Sequence, residues 1–301
     1  MLISLKFIRS LFAPFFVLLL LTAFPIVVSA QSSNASESYL LGLHYFYGRS
    51  VPVDYEKAAA LFRESANIGD PRSQFMLGYL YSLGFGVPKD SVRAAEFFRA
   101  SALQGFPLAE NNLASLYEHG QGVSKDIREA IRWYLPAALQ GDPVAQANLA
   151  GLYYTGTGVS QNFTQAARWF RAAAEGGQRN AQNNLAVLYC LGKGVPVDHG
   201  KAAYWARLSA DQGLVPAQSN LAFLYEHGWG VPLDYVSAFA WYSRASRAGD
   251  HAAAESLAAL RQIMTRKQLD QVALVLAGQT PDPDLSASLP SLAFGSADPI
   301  K

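Results

Sequence analysis

Two histidines are the first candidates for metal or acid–base chemistry in this 301-residue sequence. His119 and His227 each follow a glutamate and precede a glycine, so each places an imidazole beside a carboxylate. They lie 108 residues apart in the chain, and no further ligand of matching spacing accompanies either of them. The pattern favours two separate turn or surface histidines over a shared metal site.

Other signatures of catalysis are missing from the sequence. Its serines, histidines and aspartates show no nucleophile elbow, and its glycine-rich turns lack the Lys-Ser/Thr pair of a phosphate-binding loop. Cysteine occurs once, at Cys190, which excludes an intramolecular disulfide and a multi-cysteine metal site. We interpret Cys190 as a small filler residue. The sequence therefore predicts a protein that is not an enzyme and that carries no cofactor or metal.

Composition limits the partners of the chain. Half of the residues are apolar and 16% are charged, as expected for a folded protein with a sizeable core. The formal net charge is only +1, so no basic surplus is available for nucleic acid or for an anionic membrane surface. Nucleic acid is therefore not expected as a partner, and a membrane only through the N-terminal segment. The predicted partner is a protein, bound as an extended peptide or as a domain surface.

The sequence repeats itself every 36 residues. Six units each carry a leucine, a tyrosine four residues later, a glycine after three more and a valine ten residues after the leucine. The first unit, for example, has Leu41, Tyr45, Gly48 and Val51. A repeat of this length indicates an array of stacked supersecondary units.

Each unit is predicted to form two helices. The leucine, tyrosine and glycine lie on one stripe of a first helix, helix A, which the glycine ends. An aspartate or asparagine, such as Asp54 or Asn162, then caps a second helix, helix B, with capping boxes expected at Glu129 and Gln165. Helix B turns a small residue and a ring toward the core, such as Ala130 and Trp133.

These residues resemble the Sel1-like repeat, a relative of the tetratricopeptide repeat. The resemblance is carried by Leu77-Gly78, Tyr81, Gly84-Phe85-Gly86-Val87, Asp90 and the pair Trp133-Tyr134. Ser50 departs from the pattern, because it replaces the second glycine of the first turn. The resemblance implies an all-α fold, a right-handed α/α superhelix or solenoid of six helix–turn–helix repeats with C-terminal capping helices.

The domain organisation follows from the repeat and its flanks. We predict a secretory signal at 1–30, cleaved after Ala30, with an uncleaved membrane anchor at 11–28 as the alternative. A polar lead-in at 31–37 precedes repeats at 38–256, capping helices at 257–277 and a disordered tail at 278–301. The protein is thus expected to be exported, periplasmic or secreted.

The helix A face opposite the leucine stripe is the predicted partner-binding surface, which in stacked helix pairs lines a concave groove. One asparagine precedes the leucine in four consecutive repeats, and by resemblance to tetratricopeptide clamps these amides would hold a peptide backbone. The alternative is that each amide bonds within the protein. The predicted residues of this face are Asn112, Asn148, Asn184, Asn220, Tyr79, Tyr154, Phe223, Glu118 and Glu226.

Phe85 and Trp229 are predicted side anchors for a partner. Both stand eight residues after a repeat leucine, where the other repeats vary freely among polar and charged side chains. The alternative is that each ring folds back onto the next repeat.

The function predicted from these features is a non-enzymatic extracytoplasmic scaffold for a protein partner. Resemblance to relatives suggests a regulator in envelope signalling or polysaccharide export. A cell-wall enzyme or glycan binder is the alternative, because cysteine-rich relatives are linked to penicillin binding and lactam hydrolysis. The sequons at Asn34 and Asn162 leave an endoplasmic-reticulum adaptor open as well.

Overall fold

The computed structural model describes residues 34–277, and every regular element in that range is an α-helix. The predicted signal and tail lie outside the described residues, as do residues 31–33 of the lead-in. The helices are α1 (34–47), α2 (Tyr55–Asn67), α3 (Pro71–Leu83), α4 (Ser91–Ala102), α5 (Pro107–His119), α6 (Ile127–Leu139), α7 (Pro143–Thr155), α8 (Phe163–Glu175), α9 (Arg179–Leu191), α10 (His199–Asp211), α11 (Val215–His227), α12 (Tyr235–Arg247), α13 (His251–Ile263) and α14 (Arg266–Leu276).

Contacts divide the described chain into two compact units, residues 34–133 and 134–277. Within the first, α3 packs against α2 and α4, and α4 packs against α5. Within the second, α7 to α13 pack in sequence order, and α14 packs against α12. Each unit is therefore a stack of consecutive helix hairpins, which confirms the predicted all-α solenoid of helix–turn–helix repeats. The predicted handedness of the superhelix stays a prediction.

The helices begin and end at the residues that the repeat pattern marks. Asp70 and Asp142 cap α3 and α7 ahead of a proline in the first turn, and Gly84 ends α3 in the left-handed conformation at φ 80°. Half of each predicted capping box is present, because Asp126 accepts from the backbone N–H of Glu129 and Asn162 from that of Gln165. The Glu129 carboxylate also pairs with Arg132, with 3.3 Å between oxygen and nitrogen. A complete capping box occurs at the start of α14, between Thr265 and Gln268. The residue before it, Met264, follows the end of α13 and has an extended backbone.

The core lies between the two helices of each hairpin and between neighbouring hairpins. The predicted helix B alanines are completely buried, from Ala58 to Ala238. The predicted ring column is wrong in part, because Phe97 and Trp133 remain half-buried. The residue after that column carries a buried ring in five of the six repeats. These rings are those of Phe62, Phe98, Tyr134, Phe170 and Tyr242.

The second glycine of each turn lets one repeat approach the next. A Cβ on Gly86 would lie 2.2 Å from the backbone of Tyr55, and one on Gly230 would lie 1.9 Å from that of His199. Ser50 tolerates its Cβ although its φ is 64°, because no described helix B precedes the first turn. The replacement of this glycine by Ser50 therefore leaves the left-handed geometry of the first turn intact.

None of the helices between residues 34 and 277 combines the length and the apolar character that a bilayer crossing requires.

Candidate partner-binding site

The predicted helix A face is open to solvent in both units. Each of its predicted residues is either half-buried or exposed, and none is fully buried. The face carries rings among polar side chains, and aromatic residues are enriched in protein–protein interfaces. The contacts of these predicted residues differ from repeat to repeat.

The four predicted asparagines have different surroundings. Asn112 Nδ2 donates to the carbonyl oxygen of Leu108 at 2.6 Å, within its own helix. Asn220 Nδ2 donates to Asn183 Oδ1 at 2.9 Å and so links α11 to α9. Asn148 is half-buried and Asn184 is exposed. Intramolecular bonds of the alternative kind thus exist at Asn112 and Asn220, and the capacity of these amides to bind a partner stays a prediction.

An aromatic cluster covers the helix A face of the first unit. Phe46 lies at its centre, with ring centroids 5.5 Å from Tyr55 and 6.2 Å from Tyr79. Phe85 stacks on Tyr55 at 5.0 Å with an interplanar angle of 19°. Tyr79 is 36% exposed and Phe85 39% exposed, so both rings keep a free face.

A second aromatic cluster covers the same face in the second unit. Trp229 stacks on His199 at 4.7 Å, and its ring lies edge-on to Phe223 at 5.4 Å. His227 stacks on Phe223 at 4.0 Å. Trp229 and Phe223 are 38% and 37% exposed.

The two clusters use the same positions of the repeat. Tyr79 and Phe223, like Phe85 and Trp229, are four repeats of 36 residues apart. Phe85 and Trp229 each stack on the first residue of helix B in the preceding repeat. The alternative had predicted that each ring folds onto the next repeat. Tyr55 and His199 were not predicted from the sequence as stacking partners, because each contact joins residues thirty positions apart and depends on how the repeats stack.

An apolar cleft of about 280 Å³ opens beside the second cluster. Its floor is formed by fully buried alanines of α10, and its rim carries Cys190, Leu191 and Phe223. Burial raises the pKa of the Cys190 thiol, which fits its prediction as a filler. The lining residues are Ala186, Val187, Cys190, Leu191, Ala202, Ala206, Asn220, Phe223 and Leu224.

The remaining predicted residues contribute mainly internal contacts. Glu226 accepts a hydrogen bond from the Tyr242 hydroxyl at 2.9 Å, and burial together with this bond raises the pKa of Tyr242 strongly. Tyr154 packs edge-on to Phe163 at 5.5 Å. Glu118 is half-buried on the face of α5.

A row of arginine–tyrosine hydrogen bonds joins successive repeats. These bonds were not predicted from the sequence. Arg63 Nη2 donates to the Tyr81 hydroxyl at 3.3 Å, and Arg171 Nη2 donates to that of Tyr189 at 2.8 Å. Arg99 and Tyr117 form the same pair. The constant separation of eighteen residues between partners was the available signal.

No group of three or more histidine, cysteine or acidic side chains in residues 34–277 could hold a metal ion. His119 and His227 each place Nδ1 2.9 Å from the carbonyl oxygen four residues earlier, as helix-end residues do.

Comparison with known proteins agrees with this architecture. The Sel1 repeat matches six times without a gap, at residues 38–70, 71–106, 107–142, 143–178, 179–214 and 215–250. A protective antigen of uropathogenic Escherichia coli with an SLR fold is 31% identical, with a TM-score of 0.74, over 83% of this chain and 55% of that one. A Sel1 repeat protein from Oxalobacter formigenes is 33% identical, with a TM-score of 0.67, over 75% of this chain and 66% of that one.

The chain therefore spans between half and two thirds of the length of these two relatives. Among proteins with curated functions, none matches this chain.

Proposed function

Because the chain belongs to the Sel1 repeat family, whose members generally serve as non-enzymatic protein-interaction scaffolds, we propose that it holds one protein partner on its helix A face. The observation that carries this proposal is the pair of aromatic clusters at matching repeat positions. Large rings with a free face are typical hot spots of protein interfaces.

We place the protein outside the cytoplasm, in the cell envelope. The N-terminal signal pattern supports this location, and the E. coli relative is a protective antigen. An envelope scaffold can regulate signalling or polysaccharide export by bringing proteins together, without any reaction of its own.

The proposal is tested by site-specific crosslinking in native cells. A photocrosslinking residue replaces Tyr79 or Trp229 in one set of strains and Leu103, which is 72% exposed at the end of α4, in the control. A partner trapped by the first set and not by the control is then purified. Its affinity for the double variant Phe223→Ala/Trp229→Ala should fall at least about tenfold, as expected for hot-spot rings.

Equal trapping at Leu103, or unchanged affinity of the double variant, would refute the proposed surface. Hydrolysis of a chromogenic lactam by the purified protein, or retention on purified peptidoglycan abolished by Tyr79→Ala, would instead favour the wall-enzyme or glycan-binding alternative.

A further inference from the structure

The fifth repeat lacks an aromatic ring that the other five repeats have. At one position of helix B those five repeats carry a buried phenylalanine or tyrosine, and the fifth carries Ala206. In the second repeat this ring is Phe98, which lies so close to Gly78 of helix A that a Cβ added there would be 2.6 Å from a ring carbon. The equivalents of these two residues in the fifth repeat are Ala206 and Ala186, and both line the apolar cleft. The floor of the cleft therefore lies where the other repeats have a ring.

The walls of the cleft are apolar and carry no charge. They consist of alanine, valine and leucine side chains together with the ring of Phe223, the Cys190 thiol and the Asn220 amide. The amide nitrogen of Asn220 already donates to Asn183. A charged side chain buried against these walls would lose its hydration and gain no charged partner, at a cost in free energy. The lining thus selects an uncharged, apolar group.

The cleft has room for one aromatic side chain. Its volume is about 280 Å³, and an apolar cavity of about 150 Å³ is enough to bind benzene. Its rim is open to solvent, because Leu191 and Phe223 are exposed there. An entering ring would meet the ring of Phe223, and pairs of aromatic rings attract each other beyond the effect of buried area. Size, lining and the rings of the other repeats all favour a phenyl or phenol group.

The cleft is continuous with the second aromatic cluster, on the helix A face where we place the partner. Phe223 belongs to both, because it lines the cleft and its ring lies edge-on to Trp229 at 5.4 Å. A partner segment that covers the free faces of these two rings therefore runs past the mouth of the cleft. From there it can place one of its own side chains inside.

We propose that the cleft binds one aromatic side chain, of phenylalanine or tyrosine, that the protein partner presents. The inserted ring lies between α9, α10 and α11 and supplies the ring that the fifth repeat lacks. This inference rests on the proposed function, because it names the side chain by which the partner binds this part of the helix A face. A ring in a preformed pocket near the centre of an interface is a typical hot spot.

Cys190 allows the cleft to be tested in the purified protein, because it is the sole cysteine of the sequence and lines the cleft. The protein is equilibrated with equal concentrations of phenylethyl thiol and hydroxyethyl thiol and of their disulfides. The mass of the intact protein then gives the ratio of the two mixed disulfides at Cys190. Burial of the ring should favour the phenylethyl adduct at least about tenfold.

The matched control moves the cysteine to the same position of a repeat that has its ring. Ser82 stands three repeats before Cys190, in the repeat that contains Phe98, and both residues are half-buried. The double variant Ser82→Cys/Cys190→Ser should therefore show no preference for the phenylethyl thiol. Dividing the ratio at Cys190 by the ratio of this control removes the intrinsic difference between the two thiols.

A second variant fills the cleft. Ala206→Phe restores the ring of the other repeats, and it is tolerated sterically because Ala150 and Phe170 coexist, both buried, at the same two positions in the fourth repeat. Its preference for the phenylethyl thiol at Cys190 should fall to the level of the control. If circular dichroism shows that this variant does not fold, the comparison with the Ser82→Cys/Cys190→Ser variant decides alone.

A ratio at Cys190 equal to that of the control would overturn the proposal. A stronger preference for a straight-chain octyl thiol than for the phenylethyl thiol, each divided by its control, would overturn it in favour of an aliphatic occupant.

The crosslinked partner then tests the source of the ring. Ala206→Phe should weaken binding of that partner at least about tenfold, as expected for the loss of a hot spot. A partner that binds Ala206→Phe unchanged would overturn the proposal in favour of a free aromatic compound as the occupant. Because the thiol experiment uses the purified protein without a partner, its failure would leave the scaffold proposal standing. Failure of the crosslinking at Tyr79 and Trp229 would in turn leave the thiol ratio unchanged.

Discussion

At the residue scale, the second glycine of each turn is needed for two separable reasons. Gly86 is such a glycine: it has φ 65° and also lies against the backbone of Tyr55. Gly105, in the other kind of turn, which follows α4, has φ 76° but no atom within 4 Å of an added Cβ. The two positions thus separate the effect of backbone conformation from that of close approach between repeats.

We expect Gly105→Ala to lower the free energy of unfolding by about 1–2 kcal/mol, the cost of a left-handed backbone for a residue with a Cβ. Gly86→Ala should lower it by about 3 kcal/mol or more, because the repeats must also move apart. Urea unfolding followed by circular dichroism measures both. Equal losses would mean that the close approach carries no energy.

The row of arginine–tyrosine bonds has a gap that tests its contribution. Leu135 stands where an arginine would complete the row and is 40% exposed, and Tyr153 is the tyrosine eighteen residues later. Leu135→Arg should raise the free energy of unfolding by about 0.5–1.5 kcal/mol, the net value of a hydrogen bond. The gain should vanish in a Tyr153→Phe background; a gain that persists there would show that the arginine stabilises by another contact.

Residue chemistry was predictable from the sequence only where one repeat suffices. Phe85 and Trp229 were predicted as anchors from their variable position, which stays a prediction, whereas their stacking partners belong to the preceding repeat. The cleft was missed for a related reason. Five repeats carry a buried ring where the fifth has Ala206, and this absence becomes informative only once the structure shows that those rings are buried.

At the element scale, the helix caps respond to pH. Asp198 and Asp250 cap α10 and α13, and each has a lowered pKa. Backbone hydrogen bonding from Lys201 is the main cause at Asp198, and the Ser219 hydroxyl, 2.5 Å away, is the main cause at Asp250. A carboxyl group with a lowered pKa in the folded state stabilises above its unfolded pKa of about 3.9, and this stabilisation is lost as the pH falls through the folded pKa.

We therefore expect the free energy of unfolding to fall as the pH drops below about 5. Asparagine caps equally well without titrating, as Asn162 does for α8 with a bond of 3.0 Å. The double variant Asp198→Asn/Asp250→Asn should keep its stability near pH 7 and show a shallower decline in acid. An unchanged acid profile would place the pH dependence in other carboxylates.

The positions of the helices were largely predictable, because the residues that start and end a helix lie next to it in the sequence. The second half of a capping box was less predictable, because it depends on where the side chain three residues after the cap points. Arg132 is one turn away from Glu129 and takes its carboxylate. Such competition is decided by side-chain rotamers, which the spacing does not encode.

At the scale of the whole molecule, a stack of hairpins needs a last element that covers its apolar end. The predicted capping helices correspond to α13 and α14, although α13 begins at His251, ahead of the boundary expected at 257. Leu260 and Val272 are buried, and the Arg261 guanidinium lies 5.4 Å from the centre of the Phe239 ring. These helices pack on α12, whose residues Phe239, Trp241 and Tyr242 are buried.

Two truncations test this role. A chain that ends after Ala277 keeps both capping helices and should melt within about 4 °C of the full chain, since it loses none of the described helices. A chain that ends after Gly249 loses the buried side chains of α13 and α14, each of which contributes about 1.5–3 kcal/mol, and should melt about 5–15 °C lower. It should also bind a hydrophobic dye, because the rings of α12 become exposed. Equal melting of the two truncated chains would mean that the sixth repeat closes the stack by itself and that α13 and α14 serve another purpose.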